Sequence, residues 1–324
     1  MTSADTTTLR VRSFQGLQNL PIVAAQRQGY FARAGLTVAL SFTNSSAEQL
    51  AMLARGEVEL IHTAPDNVVN FDTQPAAFGC DPATAPQVKL LLGGSNGPLS
   101  VYALPDIASA DALRGRAVGV DNPGSGFALV LRDLLARAGL ELGRDYSFTV
   151  AGGTGARASA LAQGTLAATI VYPPFDLLLA SKGCHALATS SEVYPAYASQ
   201  ALAGAAGWVE AHGDHVTRYI GALLAALAWL YDPAERASVE ALLAAEPALG
   251  VGGDVSVAQA YAAFTDPRVG FGREATLEAT GLAQVIALRA RYGVPGVAMG
   301  QPDDYCNLRW YERARAALRG NAQA

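Results

Sequence analysis

The side chains best able to move a proton or hold a small molecule cluster in a few short stretches. His62 is followed by Thr63, Asp66 and Asn67. An imidazole titrating near neutrality, four residues before a carboxylate, suits general acid–base chemistry. With no nucleophile beside them, the same groups equally suit hydrogen bonding to a ligand, and Asp66 could simply cap a helix. Asn44-Ser45-Ser46 precedes one predicted helix, and Asn122, Pro123, Gly124, Ser125 and Gly126 precede another. Helix N-termini offer free N–H groups and a partial positive charge, so both stretches suit a carboxylate, sulfonate or phosphate; ordinary capping is the other use. Arg157 opens a helix after Gly152-Gly-Thr-Gly155. The helix dipole disfavours a cation there, so the guanidinium is expected to meet something else, an anionic ligand being one choice. Phe14, Gln15, Asn19, Gly153 and Tyr172 fall at predicted strand ends or in the loops that follow; Phe14, Tyr172 and Phe175 could stack on a flat ligand, although aromatics at strand ends more often belong to the core.

Other motifs point away from catalysis. Gly93-Gly-Ser-Asn-Gly97 spells G-x-S-x-G around Ser95. A nucleophile elbow needs a strand, a sharp turn and then a helix. Pro98 and another extended stretch follow here, so the segment reads as a hinge turn that places Ser95 near a ligand. His212 and His215 stand at a helix start without a third ligand, a poor metal site. Cys80, Cys184 and Cys306 form no C-x-x-C pair and read as plain thiols. No metal and no cofactor is expected.

These residues need a scaffold, and the patterning supplies one. Strands are predicted at 9–14, 37–42, 59–63 and 88–92, with helices between them. Pro21 opens the first helix and Gly29 closes it. Ser45 and Glu48 read as a capping box for the second, and Pro65 sits in the first turn of the third. A second unit repeats the order, with strands at 117–120, 146–150, 168–171 and 186–189 and helices at 127–138, 155–164 and 174–182. Alternating strands and helices imply mostly parallel sheets with helices on both faces. From 214 the chain turns helical. Val216, Tyr219, Ile220, Leu223, Leu224 and Leu227 mark an amphipathic helix. Further helices are expected at 233–245, 256–264, 274–292 and 303–318.

The chain has 324 residues, 51% of them hydrophobic and 16% charged, with a formal net charge of −5. That suffices for two ordinary domains and argues against a nucleic-acid partner, whose phosphates need clustered Lys and Arg. No apolar run reaches the ~18 residues needed to span a bilayer. Residues 1–8 lack the basic and apolar regions of a signal peptide. The expected location is therefore periplasmic if a leader has been removed and cytoplasmic otherwise.

Four segments in order carry a family resemblance. Residues 25–38, AQRQGYFARAGLTV, resemble the "A…GYF…GL.V" segment of ABC-importer solute-binding proteins. Residues 53–60 resemble their "L..GE.D" element, 110–120 their "DLkGk.vgv" entry to the second lobe, and 157–173 their "R..AL..G..DA…P" element. The group resembled is the NMT1/SsuA-like one, which handles sulfonates, taurine and thiamine-type pyrimidines. The resemblance implies an α/β fold of the type II periplasmic-binding-protein class: two doubly wound lobes joined by a hinge. Lobe 1 would hold residues 9–97 plus 194–324, with the C-terminal helices packed mainly on it, and lobe 2 residues 98–193. A monomer would close around one small anionic or aromatic organic molecule and deliver it to an ABC permease. The ligand contacts would be Phe14, Gln15, Asn19, Asn44, Ser45, His62, Asp66, Asn67, Ser95, Asn122, Ser125, Gly153, Arg157 and Tyr172. The alternative is a cytoplasmic enzyme on the same fold, a decarboxylase, desulfinase or hydrolase using His62 and Asp66. The fold's desulfinase uses a Cys that falls here near Gly16, and its pyrimidine synthases use a lysine-bound cofactor and a Cys-rich motif, whereas this chain has only Lys89 and Lys182.

Overall fold

The computed structural model describes residues 6–95, 97, 99–267 and 270–321. Asn96 and Pro98 of the expected hinge turn, residues 1–5 of the polar N-terminus and the last three residues of the expected first lobe lie outside the described residues. Ten strands form: β1 Thr7–Phe14, β2 Leu36–Thr43, β3 Leu60–Thr63, β4 Val88–Gly93, β5 Ser100–Ala103, β6 Arg116–Val120, β7 Tyr146–Val150, β8 Ala168–Val171, β9 His185–Thr189 and β10 Ala201–Ala205. The helices of the first half are α1 Leu20–Arg27, α2 Tyr30–Arg33, α3 Ser46–Ala54, α4 Pro65–Thr73, α5 Gly126–Arg137, α6 Thr154–Ala162 and α7 Phe175–Ser181. Those of the second half are α8 Ser190–Val193, α9 Ala206–Ala211, α10 Gly213–Leu230, α11 Arg236–Ala245, α12 Val257–Thr265, α13 Ala279–Tyr292 and α14 Arg309–Asn321.

The strands make two five-stranded sheets, ordered β2-β1-β3-β10-β4 and β7-β6-β8-β5-β9. In the first, β1 runs parallel to β2 and β3, with Val11 opposite both Leu40 and Leu60. Strand β10 enters antiparallel between β3 and β4. In the second, β6 runs parallel to β7 and β8, and β5 enters antiparallel between β8 and β9. Each sheet thus completes itself with one strand delivered by a crossing from the other. Of these two crossing strands β10 is absent from the sequence expectation, and β5 is the extended stretch expected after Pro98.

Helices cover both faces of each sheet, as doubly wound patterning demands. Leu9, Val11, Leu60, Leu91 and Leu202 on one face of the first sheet pack with the apolar stripe of α10, where Tyr219, Ile220, Leu223 and Leu227 are all buried. Ile61, Leu90 and Ala203 on the opposite face share a core with α3, α4 and α13, and that core continues into Val101, Val118 and Ile170 of the second sheet. The far face of the second sheet packs Ala158, Leu161, Val171 and Leu179 beneath α6 and α7. Helices α10 and α14 therefore pack on the first sheet as expected. Helix α13 does more: it lies against both α4 and α5 and ties the two sheets together.

Two local expectations are corrected. The capping box at α3 is half formed. Ser45 Oγ accepts from the Glu48 amide, but the Glu48 carboxylate turns to Thr43 Oγ1 and Arg12 instead of returning to the cap. Helix α13 starts five residues later than its pattern suggested. The preceding segment turns at Arg273 and Glu274 and is pinned to the crossing: the Gly93 amide donates to Ala275 O and the Gly272 amide to Gly94 O. Gly93 allows this approach because a Cβ there would strike the backbone of Thr276 and Leu277.

Candidate functional site

Open α/β sheets present ligands at the carboxyl ends of their parallel strands. Here those ends feed four helices, α3 and α4 from the first sheet and α5 and α6 from the second. Asn44 and Ser46, Ala64 and Asn67, Ser125 and Gly126, and Gly153 and Thr154 from these four N-termini line one cavity of ≈ 550 Å³. Helix α6 carries no side-chain cap, which leaves the amides of its first turn to a ligand, whereas α4 begins at Pro65 and its Asn67 amide donates to Ala64 O. Tyr172, Phe127, Ser199 and Gln200 continue the lining into an adjoining cavity of ≈ 480 Å³ walled by Leu17, Leu99, Phe264 and Phe271. A third opening, between Gln15, Phe175 and residues 247–250, shares Phe14, Asn44 and Gly153 with the first. The cleft is thus continuous and drawn from both sheets and the C-terminal segment.

Nine of the residues singled out from sequence lie on this lining: Phe14, Gln15, Asn44, Asn67, Ser95, Ser125, Gly153, Arg157 and Tyr172. Ser125 also caps α5 and donates to Asp121 Oδ1 at 2.7 Å. The Tyr172 ring packs edge-on to Phe127 and Phe175, and burial raises its hydroxyl above the usual phenol range.

The other five do not line the cleft. Asn19 is buried and donates to Phe14 O and Gly16 O, holding the loop after β1. Ser45 serves as the cap of α3, with Ser46 on the lining in its place. Asn122 Oδ1 accepts from the Gly124 amide within its own turn. His62 is buried in the first lobe's core, where Nε2 shares a 3.0 Å hydrogen bond with the Tyr219 hydroxyl. Burial holds its pKa down to about 3, so the ring is neutral at any working pH. Asp66 is equally buried and forms a two-pronged pair with Arg289 at 2.6 and 2.5 Å. The side chains of an acid–base pair are therefore both committed to packing.

Arg157 reaches the lining, but not as a free cation. It is 1% exposed. Nε donates to Thr169 Oγ1, Nη1 to Gly152 O, and Nη2 to Thr154 Oγ1 and Ile170 O. Asp121 stands 3.7 Å away. Burial pulls the guanidinium below its usual range and Asp121 opposes that. The cation at this helix start thus meets the protein itself in place of a ligand.

Sequence reasoning missed Gln18, Phe127, Ser199, Gln200, Phe264 and Phe271. Ser199 and Gln200 precede an Ala/Gly-rich strand with no periodic signal. Phe264 closes the helix expected at 256–264, and Phe271 falls in the stretch between that helix and the next, to which no element is assigned. Among the described residues no cluster of His, Cys, Asp and Glu could hold a metal, and no helix is long and apolar enough to cross a membrane.

The NMT1-like family model matches residues 2–244. No curated protein matches the sequence. Solved structures similar to this one include the periplasmic nitrate-binding protein NrtA from Synechocystis PCC 6803, with a TM-score of 0.80 at 15% identity over 97% of this chain and 89% of that one. The alkanesulfonate-binding protein SsuA from Xanthomonas axonopodis pv. citri, bound to MOPS, gives 0.65 at 19% identity over 89% and 92%. The desulfurization enzyme DSZB gives 0.63 at 16% identity over 97% and 100%.

Proposed function

The chain belongs to the NMT1-like family, and from that premise we propose that it is a solute-binding protein, a monomer that closes two lobes around one small organic molecule and passes it to an ABC permease. Its place is the periplasm. Residues 9–97 and 194–324 make one lobe and 98–193 the other, with the hinge at the two crossings into β5 and β10. The observation that carries this reading is the cleft itself. Four helix N-termini from two sheets converge on it, together with a compartment lined by Phe127, Tyr172, Phe264 and Phe271. Binding rather than turnover is favoured by the lining. Its described residues include no His, Cys or Lys, and His62 and Asp66 are engaged elsewhere.

A thermal-shift screen with sulfonates, aromatic carboxylates, carboxamides and pyrimidines tests the proposal. A true ligand at 100 times its Kd adds about 2.7 kcal/mol. It should be recovered unchanged by mass spectrometry after prolonged incubation. Conversion of the ligand would move the protein to the catalytic side of this fold, and absence of any stabilising compound would remove the solute-binding reading.

A further inference from the structure

Building on the solute-binding reading, we propose that the ligand carries an uncharged planar ring with an amide-like edge, a hydrogen-bond donor beside an acceptor, and that Phe271 and Gln200 select it. Among the described residues that line the aromatic compartment none is charged. One wall is the Phe264–Phe271 pair, stacked at 5.6 Å and 18°. The other includes Phe127 and Tyr172, edge to face at 5.8 Å. Flat rings fill such a slot with less lost dispersion contact than puckered ones. Phe271 is firmly held: its amide donates to Phe264 O, it bridges to Ser95, and a Cβ at Gly94 would come within 3.2 Å of its ring. Both phenylalanines lie beyond the stretch matched by the family model, so this wall is a feature of the C-terminal segment.

One carboxamide reads the edge. Gln18 is engaged with the protein: Nε2 donates to Phe14 O and Gln15 O, and Oε1 is buried against Gly16. Gln200 lies on both compartments, and its half-buried side chain makes no hydrogen bond among the described residues. A carboxylate or sulfonate has no proton to give the Gln200 carbonyl oxygen and would leave that acceptor unpaired. Among the described residues of the lining no free cation compensates its charge, because Arg157 is already engaged. An amide, or a ring N–H beside a carbonyl, satisfies both ends of the Gln200 carboxamide at once.

Calorimetric titration with benzamide, benzoate, benzenesulfonate and cyclohexanecarboxamide tests this. Benzamide should bind at least about tenfold more tightly than each of the others, a gap of about 1.4 kcal/mol. Phe271→Leu should erase the preference for the flat ring over cyclohexanecarboxamide, and Gln200→Leu should weaken benzamide about tenfold. Tightest binding by either anion, or equal binding of flat and puckered rings to the unaltered protein, overturns the inference even where a variant fails to fold. Silence of all four compounds while another compound stabilises the protein also overturns it and leaves the solute-binding reading standing. Silence across the wider screen removes both.

Discussion

Two residues look like reaction chemistry in the sequence and prove to be architecture. Arg157 trades its solvation for four hydrogen bonds and a nearby carboxylate. His62 sits beneath Tyr219, whose ring also stacks on Phe31 at 5.1 Å. Its titration gives a measurable signature. An imidazole in the unfolded chain takes a proton near pH 6.5, whereas the folded one resists until about 3. Above 6.5 both states are neutral and His62's contribution is fully present. As pH falls below 6.5 the unfolded chain binds a proton that the folded chain refuses, and stability drains away at about 1.4 kcal/mol per pH unit. His62→Gln removes this slope while keeping a polar partner for Tyr219. Urea midpoints should show the variant about 1 kcal/mol weaker at pH 7.5, with the gap closing or reversing by pH 5. Parallel curves for the two proteins across that range would contradict the assignment.

Among the elements, α13 has the largest mechanical role. Arg289 on α13 grips Asp66 and Asn70 on α4 and also donates to Gly124 O in the loop before α5. Three residues on, Tyr292 and Arg291 reach Asp133 on α5, which Arg137 and Tyr194 also contact. Burial pushes the Asp133 carboxyl up, and these hydrogen bonds outweigh it and hold the group below its ordinary range. Arg289→Met would leave Asp66 buried and unpaired, at about 3–5 kcal/mol. Adding Asp66→Asn should restore part of that loss, so a double-mutant cycle by chemical denaturation should show strong coupling; simple additivity would mean that α13 and α4 are not joined through this pair. None of this was legible in the sequence, because a buried pair 223 residues apart leaves no local pattern. The eight parallel strands were legible, since alternation or apolar runs between Gly and Pro signals mark them. Strand β5 was legible only as an extended stretch after Pro98, and β10 was not legible at all. Ala201–Ala205 reads ALAGA, with no β-branched residue, and becomes a strand only because β3 and β4 flank it. The cleft was half legible for the same reason: strand-end and helix-cap residues announce themselves locally, whereas Gln200 and Phe271 arrive by crossings that only the assembled sheets define.

At the scale of the whole molecule, the two sheets exchange one strand each, so motion between lobes must be taken up where β4 leads to β5 and β9 to β10. The loops facing each other across the cleft are close. Gly126 leaves so little room that a Cβ would lie 2.5 Å from Asp66 Cβ, and one on Gly153 would lie 3.1 Å from Asn44 Oδ1. These contacts join the first sheet's helix starts to the second's, which is the geometry of a closed cleft. A ligand that binds both sides should favour this form over an open one by its differential affinity. X-ray scattering should therefore show a smaller radius of gyration with saturating ligand than without it. Gly153→Val provides the matching perturbation. Gly153 has φ −62°, so valine is allowed by the backbone, but its methyls would press on Asn44 and hold the lips apart. The folded lobes should survive with little change in thermal midpoint in the absence of ligand. Affinity should fall by about tenfold or more, and the scattering profile at saturation should stay near the ligand-free one. An unchanged profile in the unaltered protein at saturating ligand, or full compaction of Gly153→Val with undiminished affinity, would show that the lobes do not close on the ligand through these lips.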